Sequence, residues 1–395
     1  MATAPHEVTY LTGYRCWYEP LMLDWMARPG GTDERLMYSA AIVSADGRVI
    51  LIAGAVFAPD ALDAYADVEL CLYGSVEADD AVSERPSLGA LGPVRDAQRS
   101  ASSDFPAAVA RGLREVGAAN GRIGLDGNGL SPGMRHSLAA ALPAAELREC
   151  RQLLRLARAV KTDAEIKLLA HCAAINESSL LAAAARASAG ERIGALRTAY
   201  HCSIAAAEAE FDHFSPGVGG IGFATGYSYQ LSTSDVLVVD SGCLLRGYFS
   251  DTQLTASVQE LDDALAARYE LLRSCVLDVG AKALRPGARA SEPHRAMTAF
   301  LEDTGVRAAA GGHGLGLELR DYPILAAPTG LPLRDECVEL GSDLVLEPGM
   351  VVNVEATLFL PGVAALGCEV SHVITDAGAR PLTEQSRETP VVAGS

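Results

Sequence analysis

The second half of the chain carries five side chains of metal-ligand type in strand-like or glycine-rich runs. Two are aspartates, one is a histidine and two are glutamates: Asp240, Asp251, His313, Glu355 and Glu369. Carboxylate oxygens and imidazole nitrogens suit divalent cations, and no cysteine lies among them with zinc-finger spacing. A glutamate that faces inward from a strand needs a partner, because burying an unpaired carboxylate costs several kcal/mol. These residues therefore predict two divalent ions bridged by carboxylates and water, and a fold that brings all five ligands together.

The spacing of the two aspartates indicates how they meet. Asp240 ends the apolar run VLVVD, and Asp251 lies 11 residues later, with Gly247 between them. Two strands joined by a tight turn would bring both carboxylates to one place. A single Asp at a strand end is more often a turn or cap residue, and a lone buried His is usually a satisfied core residue. His313, however, lies in GGHGLG, where glycines allow a close approach of the backbone without side chains that would crowd a ligand.

Length and composition favour two globular domains. A chain of 395 residues exceeds one ordinary core, and 49% hydrophobic residues can bury a sizeable one. Residues 1–158 alternate strand-like and helix-like runs and contain a hairpin signal at Asp46-Gly47, so we expect a small α/β domain there. Thr162 followed by Glu165 forms a capping box, which predicts the start of a long helix in a second domain over residues 159–395. The predicted fold class is α/β (α+β).

Charge and cysteine content narrow the class of protein. Thirty-two Lys and Arg against 50 Asp and Glu give a net charge of −18 without a basic tract, so nucleic acid is not an expected partner. Nine scattered cysteines without CxxC pairs predict reduced thiols and a cytoplasmic protein. No basic leader and no apolar run of about 20 residues is present, so membrane insertion is not expected either.

Blocks along the whole chain resemble the creatinase, prolidase and aminopeptidase P superfamily of metallopeptidases. They follow in family order: VTYLTGY at 8–14, read as a strand; LLRLARAVKTDAEIKLLAHCAAI; DSGCLLRGYFSDTQLT; GGHGLGLE; LEPGMVVNVEAT; and GCEVSHVITDAGARPLT. The resemblance implies a small N-terminal creatinase/prolidase-like domain followed by a catalytic domain with the pita-bread fold. It also implies a homodimer, in which Trp17 and Tyr18 either reach a neighbouring site or pack on the domain surface.

The resemblance further implies a role for each ligand. Asp240 would chelate one metal, Asp251 and Glu369 would bridge both, and His313 and Glu355 would complete the sites. The ions in this family are often manganese, cobalt, zinc or iron, and they generate a hydroxide that attacks the scissile carbonyl. Glu355 and His313 are the expected catalytic residues, with Glu355 also acting as the proton shuttle.

The chain departs from the proline-specific peptidases in the segment before Asp240. Those peptidases carry a His there that helps to hold the substrate, whereas this chain reads GFATGYSYQLSTSDVLVVD. Tyr227 in that segment is a candidate substrate contact. His213 lies 27 residues before Asp240 in FDHF, which resembles an earlier strand, so it is not the expected replacement.

A second departure follows the metal-binding His. Arg320 and Asp321 occupy the positions of the usual His-Glu pair. The guanidinium of Arg320 can clamp a carboxylate with two parallel hydrogen bonds, which favours a small acidic or zwitterionic substrate. In the alternative interpretation, Arg320 and Asp321 form an internal ion pair that only shapes the pocket rim.

These observations leave three functions open. The first is a metal-dependent hydrolase that cuts an amide or other C–N bond in a small polar molecule or short peptide through a metal-bound hydroxide. The second is a lyase, because HGLGLELRDYP resembles the corresponding segment of enzymes of this fold that cleave dimethylsulfoniopropionate. The third is a non-catalytic binding protein, which retention of all five ligand types disfavours.

Overall fold

The structure is a computed structural model that describes residues 1–16, 37–77, 91–383 and 390–392. The chain divides into two compact units, one of Met1–Leu154 with Leu333–Leu340 and one of Arg155–Pro332 with Gly341–Ser395. The domain boundary between residues 158 and 159 stays a prediction. Trp17 and Tyr18 lie outside the described residues.

Helices and strands alternate in the first unit, and longer strands dominate the second. The helices are α1 (Pro5–Thr12), α2 (Gly92–Arg99), α3 (Phe105–Glu115), α4 (Pro132–Ala141), α5 (Arg151–Ala157), α6 (Asp163–Ala184), α7 (Ile193–Ala206), α8 (Asp263–Ser274), α9 (Ala281–Ala283) and α10 (Ser291–Asp303). The strands are β1 (Ala40–Val43), β2 (Val49–Gly54), β3 (Val68–Tyr73), β4 (Arg122–Leu125), β5 (Glu146–Glu149), β6 (Glu210–Val218), β7 (Val236–Leu245), β8 (Tyr248–Ser257), β9 (Ala309–Gly314), β10 (Asp321–Leu325), β11 (Pro332–Arg334), β12 (Glu339–Gly341), β13 (Val351–Leu360), β14 (Ala364–Thr375), β15 (Gly378–Pro381) and β16 (Val391–Val392).

The first unit is built on a sheet with the order β1-β2-β3. Successive residues of a strand point to opposite faces, so Ile50 joins the core beneath α3 while Leu51 joins the core beneath α1. The predicted hairpin is confirmed, because β1 and β2 pair antiparallel around Gly47, which has a φ of 88°.

The strand predicted for residues 8–14 is wrong, because this segment ends a helix. Pro5 stands in the first turn of α1, where its fixed φ suits a helix and its missing N–H costs nothing. Gly13 then ends the helix in the left-handed conformation, with a φ of 73°.

The predicted capping box at the start of the second unit is confirmed. The hydroxyl of Thr162 accepts a hydrogen bond from the backbone amide of Glu165, whose carboxylate accepts one from the amide of Thr162 in return. The helix that starts there, α6, runs for 22 residues and packs with α7 against β6, β7 and β8. This packing fixes one outer layer of the unit.

Two sheets form the centre of the second unit. One has the order β16-β8-β7-β6 and the other the order β10-β9-β13-β14-β15. They meet along β8 and β14, where the hydroxyl of Thr255 donates to the carbonyl of Gly367 at 3.0 Å. Helices α8 and α10 cover the second sheet with an apolar core that includes Met297 and Val354. The polar centre described below therefore lies on strands that are enclosed between helical layers.

Two further properties follow from the described residues. None of their helices is both long enough and apolar enough to cross a membrane. All nine cysteines lie within the described ranges, and none forms a disulfide.

Candidate metal centre

The two aspartates of the centre lie on one hairpin of the sheet β16-β8-β7-β6. Strands β7 and β8 pair antiparallel, and Asp251 stands opposite Gly242, two residues from Asp240. Because residues two apart on a strand share a face, both carboxylates point to the same side. The tight turn at Arg246 and Gly247, which both have positive φ, sets this register.

The sheet β10-β9-β13-β14-β15 brings His313 and Glu369 close to Asp251. The Nε2 atom of His313 lies 3.4 Å from Oδ2 of Asp251, and one ligand atom from each of the three residues falls within 4.8 Å of the others. All three side chains are buried. The Nδ1–H of His313 donates to the carbonyl of Gly314 at 3.1 Å, which leaves Nε2 facing the carboxylates. Burial lowers the pKa of His313, but Asp251 outweighs burial and the net pKa is raised.

Glu355 stands beside this group on β13. It lies directly opposite Glu369 in the pairing of β13 with β14. Within the described residues, two groups of three side chains each have ligand atoms within 4.8 Å of one another. Glu355 belongs to neither group. Burial and the nearby Asp251 raise the pKa of Glu355, while His313 and Arg320 oppose that rise.

His213 joins the centre from β6, although the sequence interpretation set it aside. Its Nε2 atom lies 3.1 Å from Oδ1 of Asp240 and 3.5 Å from Oδ1 of Asp251, and these three residues form a second group within 4.8 Å. Its Nδ1 atom lies 2.7 Å from Oδ2 of Asp212. Burial lowers the pKa of His213, but the three carboxylates raise it to about 12. The signal in the sequence was the Asp-His pair in a strand that precedes VLVVD.

The predicted substrate residues have different surroundings. Arg320 is exposed in the segment between β9 and β10, and it is close enough to Glu355 to lower that residue's pKa. Tyr227 is 47% exposed, its hydroxyl donates to the carbonyl of Phe214 at 3.3 Å, and the guanidinium of Arg197 lies 5.0 Å from the centre of its ring.

Asp321 is buried, and its carboxylate faces two other cations. Its Oδ2 atom lies 3.3 Å from Arg158 and 3.8 Å from Lys161. Arg158 also pairs with Glu318 at 2.8 Å. The internal ion pair considered for Asp321 is therefore made with Arg158 and Lys161, residues from the segment around the start of α6.

The centre has the donor set and the charge that a divalent cation requires. Oδ1 of Asp251 is buried and accepts no hydrogen bond within the described part of the chain. Burial raises the pKa of Asp240 to about 6, against the opposing effect of His213. The pKa of Asp251 is lowered, because His213 and His313 outweigh its burial. Crowded carboxylates with imidazoles between them fit Mn, Fe, Co or Zn.

Two facing sheets between helices, with carboxylates and imidazoles gathered on their strands, define a class of metal-dependent hydrolases. The model of Metallopeptidase family M24 matches residues 148–376, and the chain belongs to this family. The predicted superfamily and the predicted pita-bread fold are both confirmed.

Individual relatives agree with this membership. The chain is similar to an Xaa-Pro dipeptidase of Lactobacillus delbrueckii subsp. lactis, with 29% identity over 165 residues that span 40% of each chain. It is 27% identical to the uncharacterized peptidase YqhT of Bacillus subtilis over 285 residues, or 68% of this chain and 74% of that one. The structure of an Xaa-Pro dipeptidase from Bacillus anthracis matches 98% of this chain and 93% of that chain, with a TM-score of 0.71 at 20% identity. That likeness is one of fold.

Proposed function

We propose that the chain is a dinuclear metallohydrolase that cuts an amide or other C–N bond in a small polar or zwitterionic substrate such as a short peptide. The observation that carries the proposal is the buried grouping of Asp251, His313 and Glu369, with Asp240 on the neighbouring strand. Membership of Metallopeptidase family M24 supports it. A homodimer and a cytoplasmic location stay predictions from the sequence.

The carboxylates and imidazoles of the centre would hold two divalent ions. Asp251 directs one oxygen toward His213 and the other toward His313, which suits a carboxylate that bridges two positions. When bound, the ions would lower the pKa of a water molecule and polarise the scissile carbonyl. His313 is oriented for this role by the carbonyl of Gly314, which takes its other ring N–H.

Glu355 is the proposed proton shuttle. Its pKa is raised by burial and by Asp251, so its carboxyl group takes up a proton more readily than an exposed glutamate. A group of this kind can accept a proton from the attacking water and pass it to the leaving amine. Arg320 is exposed near Glu355, and its guanidinium is the proposed partner of a substrate carboxylate. Tyr227 is also a proposed substrate contact, whereas Asp321, buried beside Arg158 and Lys161, would act only through the shape of the pocket.

The test measures turnover and metal content together. Protein loaded with Mn, Co, Zn or Fe would be assayed on Xaa-Pro dipeptides, other dipeptides and N-acyl amino acids in water enriched in oxygen-18. We expect amine release that depends on metal, with the label in the new carboxylate. Asp251→Asn should abolish both tight metal binding and turnover, whereas Glu302→Gln on the exposed face of α10 should change neither.

Two results would contradict the proposal. Metal-bound protein that releases an unsaturated acid from a sulfonium substrate without incorporating the label would establish the lyase instead. Protein that binds no ion at neutral pH, even after supplementation, would overturn the metal centre and revive the binding-protein hypothesis.

A further inference from the structure

We propose that His213 is a sixth protein ligand of the metal centre, held in place by Asp212. The inference rests on the proposed metal centre and adds a histidine from β6 to the five ligands on the other strands. One ion would be held by His213, Asp240 and Oδ1 of Asp251. The other would be held by His313, Glu369 and Oδ2 of Asp251.

A break in the pairing of β6 with β7 brings His213 to the centre. Phe211 stands opposite Cys243 and His213 opposite Gly242, so Asp212 is an extra residue without a partner on β7. Adjacent residues of a regular strand point to opposite faces, but a bulge turns the chain and redirects a side chain. Here the side chains of Asp212 and His213 meet, with 2.7 Å between Oδ2 and Nδ1.

The neighbouring strand leaves space for the imidazole ring. A Cβ atom on Gly242 would lie 2.6 Å from Cε1 and 2.7 Å from Nδ1 of His213, which is closer than nonbonded atoms approach. Only a residue without a side chain therefore leaves room for the ring at this point of β7. Gly242 therefore makes room for the histidine, while Gly247 forms the turn of the hairpin.

The hydrogen bonds of the ring assign its two nitrogens different roles. The Nδ1–H donates to Asp212, which leaves Nε2 directed at two carboxylate oxygens of different residues, at 3.1 and 3.5 Å. Histidines that bind metals almost always donate their other ring N–H to a carboxylate, a carbonyl or water, and this contact sets the tautomer. A divalent ion bound between Nε2, Asp240 and Asp251 would be within reach of all three side chains.

A second imidazole changes which ions the centre prefers. Carboxylates suit Mg and Mn, whereas imidazole suits Zn, Fe and Ni. Six ligands with two imidazoles should therefore favour Zn or Fe over Mn more strongly than five ligands with one. The extra ligand also occupies one coordination position that water or substrate would otherwise take.

The experiment counts the liganding imidazoles in full-length protein loaded with Co(II). Each bound imidazole with a ring N–H gives one hyperfine-shifted proton NMR signal that exchanges with solvent. We expect two such signals in the unmodified protein and one in His213→Gln. Binding of Zn and of Mn would be measured in parallel by competition with a chelating indicator. His213→Gln should weaken Zn binding more than Mn binding, which a merely structural histidine would not do.

Two further variants complete the test. Asp212→Asn keeps the imidazole and should weaken metal binding by about 10- to 100-fold, the usual effect of losing a hydrogen-bond partner of a ligand, while shifting one of the two signals. His171→Gln, at an exposed histidine of α6, should bind both ions as the unmodified protein does. If His213→Gln fails to fold, the signal count of the unmodified protein and the Asp212→Asn result decide the question.

The outcomes separate this inference from the proposed function. Unmodified protein that binds Co(II) but shows only one exchangeable signal would overturn the role of His213 and leave the metal centre intact. Unchanged Zn affinity in His213→Gln and in Asp212→Asn would do the same. Unmodified protein that binds no Co(II) or Zn at all would overturn the metal centre itself.

Discussion

Glu355 and Glu369 lie directly opposite each other in the antiparallel pairing of β13 and β14. Residues in this relationship have Cβ atoms about 4.5–5.5 Å apart on the same face, and like charges there repel. The two strands therefore carry an electrostatic cost that a cation or a proton between the carboxylates would relieve. Metal-free and metal-loaded protein should respond in opposite directions when one of the charges is removed.

Glu355→Gln should stabilise the metal-free protein by about 0.2–1 kcal/mol and weaken the binding of metal. The pKa of Glu355 is raised above 4.5 in the folded state, so its ionised form costs stability at neutral pH, and protonation recovers that stability as the pH falls. The advantage of the variant should therefore shrink in acid. Urea unfolding with a chelator, at pH 7 and pH 4.5, measures this difference. The matched change Glu302→Gln should have no effect, and a Glu355→Gln variant less stable than the parent without metal would contradict the repulsion.

Arg320→Gln should reduce kcat/KM for substrates with a free carboxylate. A charge-assisted hydrogen bond contributes about 1.5–3 kcal/mol, which corresponds to roughly a 10- to 150-fold decrease. Substrates with an amidated terminus should not distinguish the variant from the parent, since they lack the partner charge. Arg268→Gln, at an exposed arginine of α8, is the control. An equal decrease in kcat/KM for acidic and amidated substrates would show that Arg320 does not recognise the carboxylate.

Glu318→Gln should destabilise the second unit at pH 7. Arg155 and Arg158 outweigh the burial of Glu318 and lower its pKa from 4.5 to about 2, which corresponds to about 3 kcal/mol at about 1.4 kcal/mol per pKa unit. This stability is present above pH 4.5 and is lost as the pH falls toward 2, so the two proteins should converge in acid.

Chemical denaturation of the metal-free forms at pH 7 and pH 3.5 tests this convergence. Glu270 also pairs with an arginine, Arg273, but its side chain is 52% exposed, so Glu270→Gln should cost no more than about 1 kcal/mol. A constant difference between Glu318→Gln and the parent across this pH range would show that the lost stability is not electrostatic.

Gly242→Ala should weaken metal binding without removing any ligand. The added methyl group would occupy the space of the His213 ring and force it away from Asp240. We expect a loss of about 10- to 100-fold in affinity, as for the loss of a contact that orients a ligand. Gly226→Ala is the control, because a Cβ there meets nothing within 4 Å. Metal affinity equal to that of the parent would show that the ring position is not critical.

The sequence predicted the strands and helices around the centre better than it predicted the side-chain contacts between them. The spacing of the aspartates in VLVVD and YFSD predicts a hairpin, and the capping box at Thr162, with its two local hydrogen bonds, predicts α6. Both signals are local, so a short window of sequence contains them. The resemblance to a known family supplied the proposed role of each ligand, and those roles stay predictions.

The remaining features depend on contacts that local patterns do not contain. His213 was set aside because it lies 27 residues before Asp240 in an earlier strand, and only the pairing of β6 with β7, with its bulge at Asp212, brings the two residues together. The partners of Asp321 lie 163 and 160 positions away, at Arg158 and Lys161, so the adjacent Arg320 was the only visible candidate. The segment at 8–14 was read as a strand although Pro5 and Gly13 bracket a helix.

The carboxylate of Asp251 has consequences for how the protein takes up metal. Its two oxygens face two different imidazoles, at 3.5 Å from His213 and 3.4 Å from His313. In the proposed dinuclear centre, this one rotamer would present an oxygen to each ion, so an ion bound at one site would fix the orientation of the oxygen offered to the other. By thermodynamic linkage, each ion would then change the affinity of the other by the same factor. If the proposed dinuclear centre forms, the binding of its two ions would be a single coupled equilibrium, and a dissociation constant measured at one site would have meaning only together with the occupancy of the other.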